Sequence, residues 1–412
     1  MTSVLNPLQR LSGNKSLIVL VFGLLLSACS PKIQPKTTPS AKTPEPEKEK
    51  AAEVADKKFT EATISMLLPF KLNQINPKTP TKAEVEKAAL AIDFYQGFML
   101  GIDSAASSGL NFHVNVLDTR DYNGQIELLS KSPGLSSSNL IVGPVYPEGI
   151  KYFSKFAIAH NLPVVSPLAA SLPEEFNNPN LISIVNNINL HATKIGDHIA
   201  KNYNTANHVV VLINPKKPDD EVLGAPLRQY FSGMKNRKFA FQEFASVFSM
   251  EMKVQKLKKY VLVLTSSDKS FVTATIDKLI KMQRAGLDVR LYGHPNWMKQ
   301  TYPAEKLQAL NTIISASYKV DYKRPPVISF VKKYREKYQF EPGEYAFKGY
   351  DIGLYFGNLI ANAGPDFTGQ ITKHKYRGLH NNFAFVYDPK LGFINTSLML
   401  LQYKNFALNT IE

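Results

Sequence analysis

A single cysteine, Cys29, and a single tryptophan, Trp297, occur among the 412 residues. One thiol excludes a disulfide framework within the chain, and its place so early leaves the body without a thiol nucleophile. No G-x-S-x-G, P-loop, H-E-x-x-H or Gly-rich dinucleotide fingerprint occurs, so no hydrolase, nucleotide, zinc or dinucleotide chemistry is indicated. The chain is therefore expected not to be an enzyme and to need neither cofactor nor metal. Long apolar runs are also missing. "SLIVLVFGLLLSA" (16–28) is 13 residues, short of the roughly 20 needed to span a bilayer. Acids are scarce beside bases, 34 against 49, giving a formal charge of +15. The Lys and Arg are scattered instead of clustered with aromatics, so nucleic-acid binding is not expected. A solvated basic surface near anionic lipid or cell-wall polymer is the plainer account.

What is there begins with an address. Arg10 and Lys15 precede the short apolar run, the arrangement of a secretory leader. Leu26-Ser27-Ala28-Cys29 resembles the bacterial lipobox, which implies cleavage before Cys29, acylation of its thiol and amine, and a lipid bilayer as partner. Cleavage removes two cations and no acid, leaving +13. Ser30, where an aspartate would favour retention, implies an exported, lipid-anchored protein of the outer membrane facing the periplasm. "PKIQPKTTPSAKTPEPEKEKAAEVADKK" (31–58) holds almost no large apolar residue. It cannot bury enough surface to offset its ordering entropy and is expected to be a disordered, Pro-stiffened spacer.

From 62 onward apolar runs of strand length alternate with helical spacing. "ATISMLLPF" (62–70) reads as a strand; "EKAALAIDFYQGFMLGIDSAA" (86–106), with Leu90, Ile92, Phe94, Phe98 and Ile102 in register, reads as a helix. The alternation continues to "EYAFKGYDIGLYFGNLIANAG" (344–364). Strands apolar on both faces between amphipathic helices predict an α/β fold of parallel sheets covered on both sides. "FAFVYD" (383–388) and "GFINTSLMLLQYKN" (392–405) break the pattern and are expected to be antiparallel strands. His191 and His198, seven apart on one helix face without convergent acids, are read as surface residues.

Four stretches, "FYQGFMLGID", "IVGPVYPEG", "NLPVVSPLAAS" and "FVKKYREKYQFEPGEYAFKGYDIGLYF", resemble in order and spacing the type I periplasmic binding protein superfamily, the leucine/isoleucine/valine-binding group. The resemblance covers roughly residues 60–405. It implies two Rossmann-like lobes joined by three crossings, near 183–188, 314–320 and 383–389, with a ligand cleft between them that closes by hinge motion. After the leader (1–28) and the lipidated linker (29–58), it divides the chain into lobe 1 (59–187 and 317–385) and lobe 2 (188–316 and the strands of 386–412). It also implies that the glycines of "FYQGFMLGID" bring that helix close to the sheet.

By the same resemblance, the loops after the third and fourth strands hold a substrate carboxylate. Here they are Gly143-Pro144-Val145-Tyr146-Pro147 and Ala169-Ala170-Ser171. The second keeps small residues and a hydroxyl. The first has Pro147 where a serine is expected, losing a hydroxyl and an N–H. In lobe 2 the family's acid for the substrate ammonium falls in Gly293-His294-Pro295-Asn296-Trp297, which has none. Asp219, Asp220 and Glu221, before the stretch Leu223-Gly224-Ala225-Pro226, are candidates to replace it. A buried ammonium without a counter-charge is costly, which weakens the case for a free amino acid. The candidate cleft residues are Tyr146, Ala169, Ala170, Ser171, Asp220, His294, Asn296 and Trp297, or these side chains pack the lobe interface and nothing small binds. Two functions stay open. One is a solute-binding lipoprotein for an amino-acid-like or peptide-like ligand, with an ABC permease as candidate partner. The other is a non-catalytic outer-membrane lipoprotein of this fold that regulates a cell-wall synthase.

Overall fold

The structure, a computed structural model, describes residues 2–4, 59–234, 238–255 and 257–412. The lipobox with Cys29, the apolar run and the spacer lie outside the described residues. Within the expected leader, Thr2–Val4 is described and pairs antiparallel with Asn111–Asp118 at the edge of the first sheet.

Two sheets form two lobes. In the first the order is Thr2–Val4, Asn111–Asp118, Glu61–Leu68, Leu140–Val142, Val164–Ser166, Leu181–Ser183, Gly392–Asn395, Phe385–Asp388. In the second it is Ala407–Thr410, Met399–Lys404, Ile313–Ala316, Val289–Gly293, Lys259–Leu264, His208–Ile213, Ala240–Phe244. The central pairings are parallel. The period of two along a strand sends neighbouring residues to opposite faces. In Lys259–Leu264, Leu262 and Leu264 join one core while Val261 and Val263 join the core on the other face. Both faces are covered by helices, so these strands read as continuous apolar runs.

The last strands divide between the lobes. Phe385–Asp388 and Gly392–Asn395 form an antiparallel pair, and Gly392–Asn395 runs parallel to Leu181–Ser183 in the first sheet. Met399–Lys404 runs antiparallel to Ile313–Ala316 in the second. The third crossing is therefore 396–398, later than the expected 383–389, and 386–395 belongs to lobe 1. Asn395 ends the strand there. Its Nδ2 donates to the carbonyls of Ile184 and Asn382, both at 3.0 Å.

Lobe 1 has an unusual seam. The helix Lys82–Ala105, opened by a Thr81/Glu84 capping box, packs along Glu344–Ala363. A Cβ on Gly97 would stand 1.8 Å from the Ala346 carbonyl oxygen, and one on Gly349 2.1 Å from that of Phe94. The glycines of "FYQGFMLGID" thus bring the helix close to a second helix, not to the sheet as expected. Close approach of two backbones leaves no room for side chains on either.

Candidate functional site

Three crossings join the lobes and stitch to one another. Asn186 Nδ2 donates to the Asn395 carbonyl at 2.7 Å, linking the first crossing to the third. Asn381 Nδ2 donates to the Ser317 carbonyl at 3.1 Å, and the Lys319 N–H to the His380 carbonyl at 3.0 Å, tying the second crossing to the loop 378–381. Asp351 holds that loop from below. Its fully buried carboxylate accepts the N–H groups of Leu379, His380 and Asn381 at 2.7, 2.8 and 2.9 Å. Burial still outweighs these donors and pushes its pKa up to about 6.

Above the crossings a cavity of about 420 Å³ opens between the lobes, within the usual size of small-ligand sites. Lobe 1 supplies Tyr146, Ala169 and Ala170 from the two expected loops, and Glu344, Tyr345 and Lys348 from the start of the helix Glu344–Ala363. Lobe 2 supplies His191, Asn296, Met298 and Lys299; the second crossing supplies Ser317 and Tyr318. A cavity of about 600 Å³ at the far end of the helix Glu344–Ala363 is walled by lobe 1 alone, and its acid, Asp366, is exposed.

Of the candidate residues, Tyr146, Ala169, Ala170 and Asn296 line the cleft. The other four do not. Ser171 lies half-buried just past the lining. His294 is buried behind the wall, where its Nδ1 accepts the Asn296 N–H at 3.0 Å and caps the turn Pro295–Lys299. Burial lowers its pKa to about 4. Trp297 is core. It is fully buried against Tyr302, its Nε1 donates to the Ser266 carbonyl at 3.0 Å, and its ring occupies the space a Cβ on Gly293 would need. Asp220 lies buried in the first turn of the helix Pro218–Gly233, away from the cleft, with one carboxylate oxygen lacking a hydrogen-bond partner. Leu223-Gly224-Ala225-Pro226 falls inside the same helix, whereas the resemblance implies a helix start there.

The histidines also differ from expectation. His191 is buried, its Nδ1 2.9 Å from Ser315 Oγ and its Nε2 3.2 Å from Ser317 Oγ. Burial, with a small push from His294, lowers its pKa to about 3, so it is neutral at pH 7. His198 is half-buried, with Nδ1 2.6 Å from the Tyr292 hydroxyl. The shared helix face points inward because the apolar Ala192, Ile195 and Ile199 around it carry the core contacts.

The buried charge of the cleft is Lys348, a residue sequence reasoning missed. It is 5% exposed, and among the described residues no carboxylate lies within 4 Å of its ammonium. Its nitrogen sits 5.5 Å over the ring of Tyr318, a weak cation–π contact. Tyr318 in turn stacks on His380 at 4.3 Å. Burial lowers the Lys348 pKa to about 8; Glu344 pulls it up and Lys299 pushes it down. His380 approaches Glu344 at 3.8 Å, but burial, with Lys348 nearby, holds its pKa near 3. That contact is not an ion pair at neutral pH. A signal for Lys348 did exist: a lysine between Phe347 and Gly349, within a helix whose neighbouring positions are apolar or small.

No protein-family model matches the sequence, and no curated protein matches it. Solved structures match the fold. A branched-chain amino acid ABC transporter protein from Rhodospirillum rubrum is 14% identical, with a TM-score of 0.64 over 85% of this chain and 100% of that one. An ABC transporter substrate-binding protein from Desulfitobacterium hafniense in complex with Leu is 12% identical, with a TM-score of 0.52 over 85% and 100%. Haemophilus influenzae LpoA is 12% identical, with a TM-score of 0.55 over 85% of this chain and 58% of that chain. At such identities the likeness is one of fold.

Proposed function

We propose that this chain, which has the type I periplasmic binding protein fold, is a membrane-anchored solute-binding lipoprotein that holds a small ligand between its lobes. The observation that carries this reading is the cavity of about 420 Å³ walled by both lobes and lined by the buried Lys348, which has no carboxylate within 4 Å among the described residues. Sites of this kind, concave and containing a titratable group with a perturbed pKa, are where ligands bind. The likeness to ABC transporter substrate-binding proteins supports it, and an ABC permease is the partner that follows. The cleft's serine–histidine contact, Ser317 with His191, is a buried hydrogen bond in which burial holds the imidazole pKa near 3, too low for a general base at neutral pH, which supports a non-catalytic role. Cys29 is the proposed lipid attachment point and the outer membrane the proposed site.

The full chain should be stabilised by some member of an amino-acid, dipeptide or muropeptide panel in thermal-shift assays. Ligand at 100 times Kd should add about 2.7 kcal/mol. Cys29→Ser should leave the protein unprocessed or released from membranes; a lipid-modified, membrane-bound variant would overturn the anchor.

A second reading is favoured by the Pro/Lys spacer 31–58 and the likeness to LpoA. In it, the body is an interaction module that an outer-membrane tether presents to a cell-wall synthase. Capture of such a synthase by the purified chain, with no ligand-induced shift, would establish that reading over the first.

A further inference from the structure

We infer that the cleft selects an anionic ligand, a carboxylate with a partly apolar body, whose charge is met by Lys348 from lobe 1 and Lys299 from lobe 2. This rests on the solute-binding reading and gives its ligand a chemical class.

Lys348 is the starting point. A buried ammonium is costly unless an opposite charge compensates it, and among the described residues no carboxylate lies within 4 Å of this one. Glu344, one helical turn before Lys348, lines the same cavity but stays beyond ion-pairing distance and faces His380 at 3.8 Å. Lys299 reaches the cavity from the opposite lobe, and among the described residues it too has no carboxylate within 4 Å. The other titratable groups do not change this balance. His191 lines the cavity, while His294 and His380 lie behind its wall, and all three are held neutral by burial. Two lysines against one glutamate leave the lining one positive charge in excess.

The loops explain why the anion is met here. Pro147, at the mouth of the first loop, can give neither a hydroxyl nor an N–H. The acid that would select an ammonium is absent from Gly293-His294-Pro295-Asn296-Trp297. Around the lysines, Tyr146, Tyr345, Met298 and Leu168 offer apolar and aromatic surface suited to a hydrocarbon or ring. A ligand spanning from Lys348 to Lys299 bridges the lobes and favours their approach.

The test uses the full chain in detergent and matched probes that differ only in charge. These are phenylacetate, phenylacetamide and phenethylamine; 4-methylpentanoate, its amide and 4-methylpentylamine; and the zwitterions leucine and phenylalanine. Thermal shift and calorimetry should show at least one carboxylate bound at least tenfold more tightly than its amide or amine. Lys348→Met should weaken that binding at least tenfold, and Lys348→Arg should restore part of it. Lys299→Gln, an exposed site that leaves folding intact, should weaken it several-fold. Amides, amines or zwitterions that bind as well as the carboxylates would overturn the anion assignment and leave the solute-binding reading standing. So would a Lys348→Met protein that keeps carboxylate affinity within twofold. No shift with any of these probes would overturn the anion assignment, and no shift with the amino-acid, dipeptide and muropeptide panel as well would overturn both.

Discussion

The two walls of the cleft are built by opposite means. The lobe 1 wall hangs on the helix Glu344–Ala363, which Gly97 and Gly349 draw against Lys82–Ala105 and which Asp351 ties to the loop 378–381. The lobe 2 wall is the turn Pro295–Lys299, anchored by a bulky side chain, Trp297, folded over Gly293. One wall is positioned by missing side chains, the other by the largest one in the chain. The difference bears on function. A helix locked by backbone contact can hold a costly buried charge such as Lys348 in place, whereas a short turn carries the exposed Asn296 and Lys299. Rigid support for a buried binding group limits the ordering that binding must still supply.

The largest effects should come from the two anchors. Gly97→Val would place side-chain carbons within bonding distance of a backbone oxygen and should prevent lobe 1 from folding, read as loss of the cooperative denaturant transition. Trp297→Ala should cost about 3–5 kcal/mol and still leave a folded protein. A Gly97→Val protein as stable as Trp297→Ala would break the contrast between the walls.

The next effect has the opposite sign. The Lys348 pKa falls from 10.5 to about 8 on folding. Between these values the folded state releases its proton first, so the unfolded state binds more protons and wild-type stability rises with pH. Below about pH 8 both states are charged and the full cost is present. Lys348→Met should therefore raise the stability of the ligand-free protein at pH 7 by on the order of 3 kcal/mol, while it removes binding. This is the trade expected of a functional group held against its preference. The gain should shrink between pH 8 and 10.5; a gain independent of pH would assign it to packing alone.

The last effect, read only as a slope in acid, sharpens the lobe 2 side. His191 is held at about 3 against an ordinary 6.5. As pH falls from 6.5 toward 3 the unfolded state takes the proton first, and stability falls with it. His191→Gln should flatten the decline in urea midpoint across that window. Asp351, raised to about 6, acts in the reverse sense between 3.8 and 6, but it does so in both proteins and cancels from the difference between them. A slope unchanged by His191→Gln would place the titration elsewhere, His294 and His380 being the next candidates.

The α/β alternation was legible because strand and helix periods are local properties of the residues that carry them. The loops carrying Tyr146, Ala169 and Ala170 were legible through order and spacing. Trp297 and Asp220 were misplaced for a common reason. A short loop or helix start offers two faces, and only the neighbouring lobe structure decides which is core. The third crossing shifted because 392–405 is one apolar stretch in sequence but two strands in space, divided at Asn395 by hydrogen bonds to residues as distant as Ile184.

The sequence by itself determined the alternating architecture, the lone thiol at Cys29 and the loss of donor and acid at Pro147 and 293–297, since each is a matter of residue identity at a position. Tertiary structure alone decided that Lys348 stands buried with no carboxylate within 4 Å among the described residues, and with Lys299 opposite it. Burial and charge pairing depend on which distant segments meet, and no local pattern carries that distance.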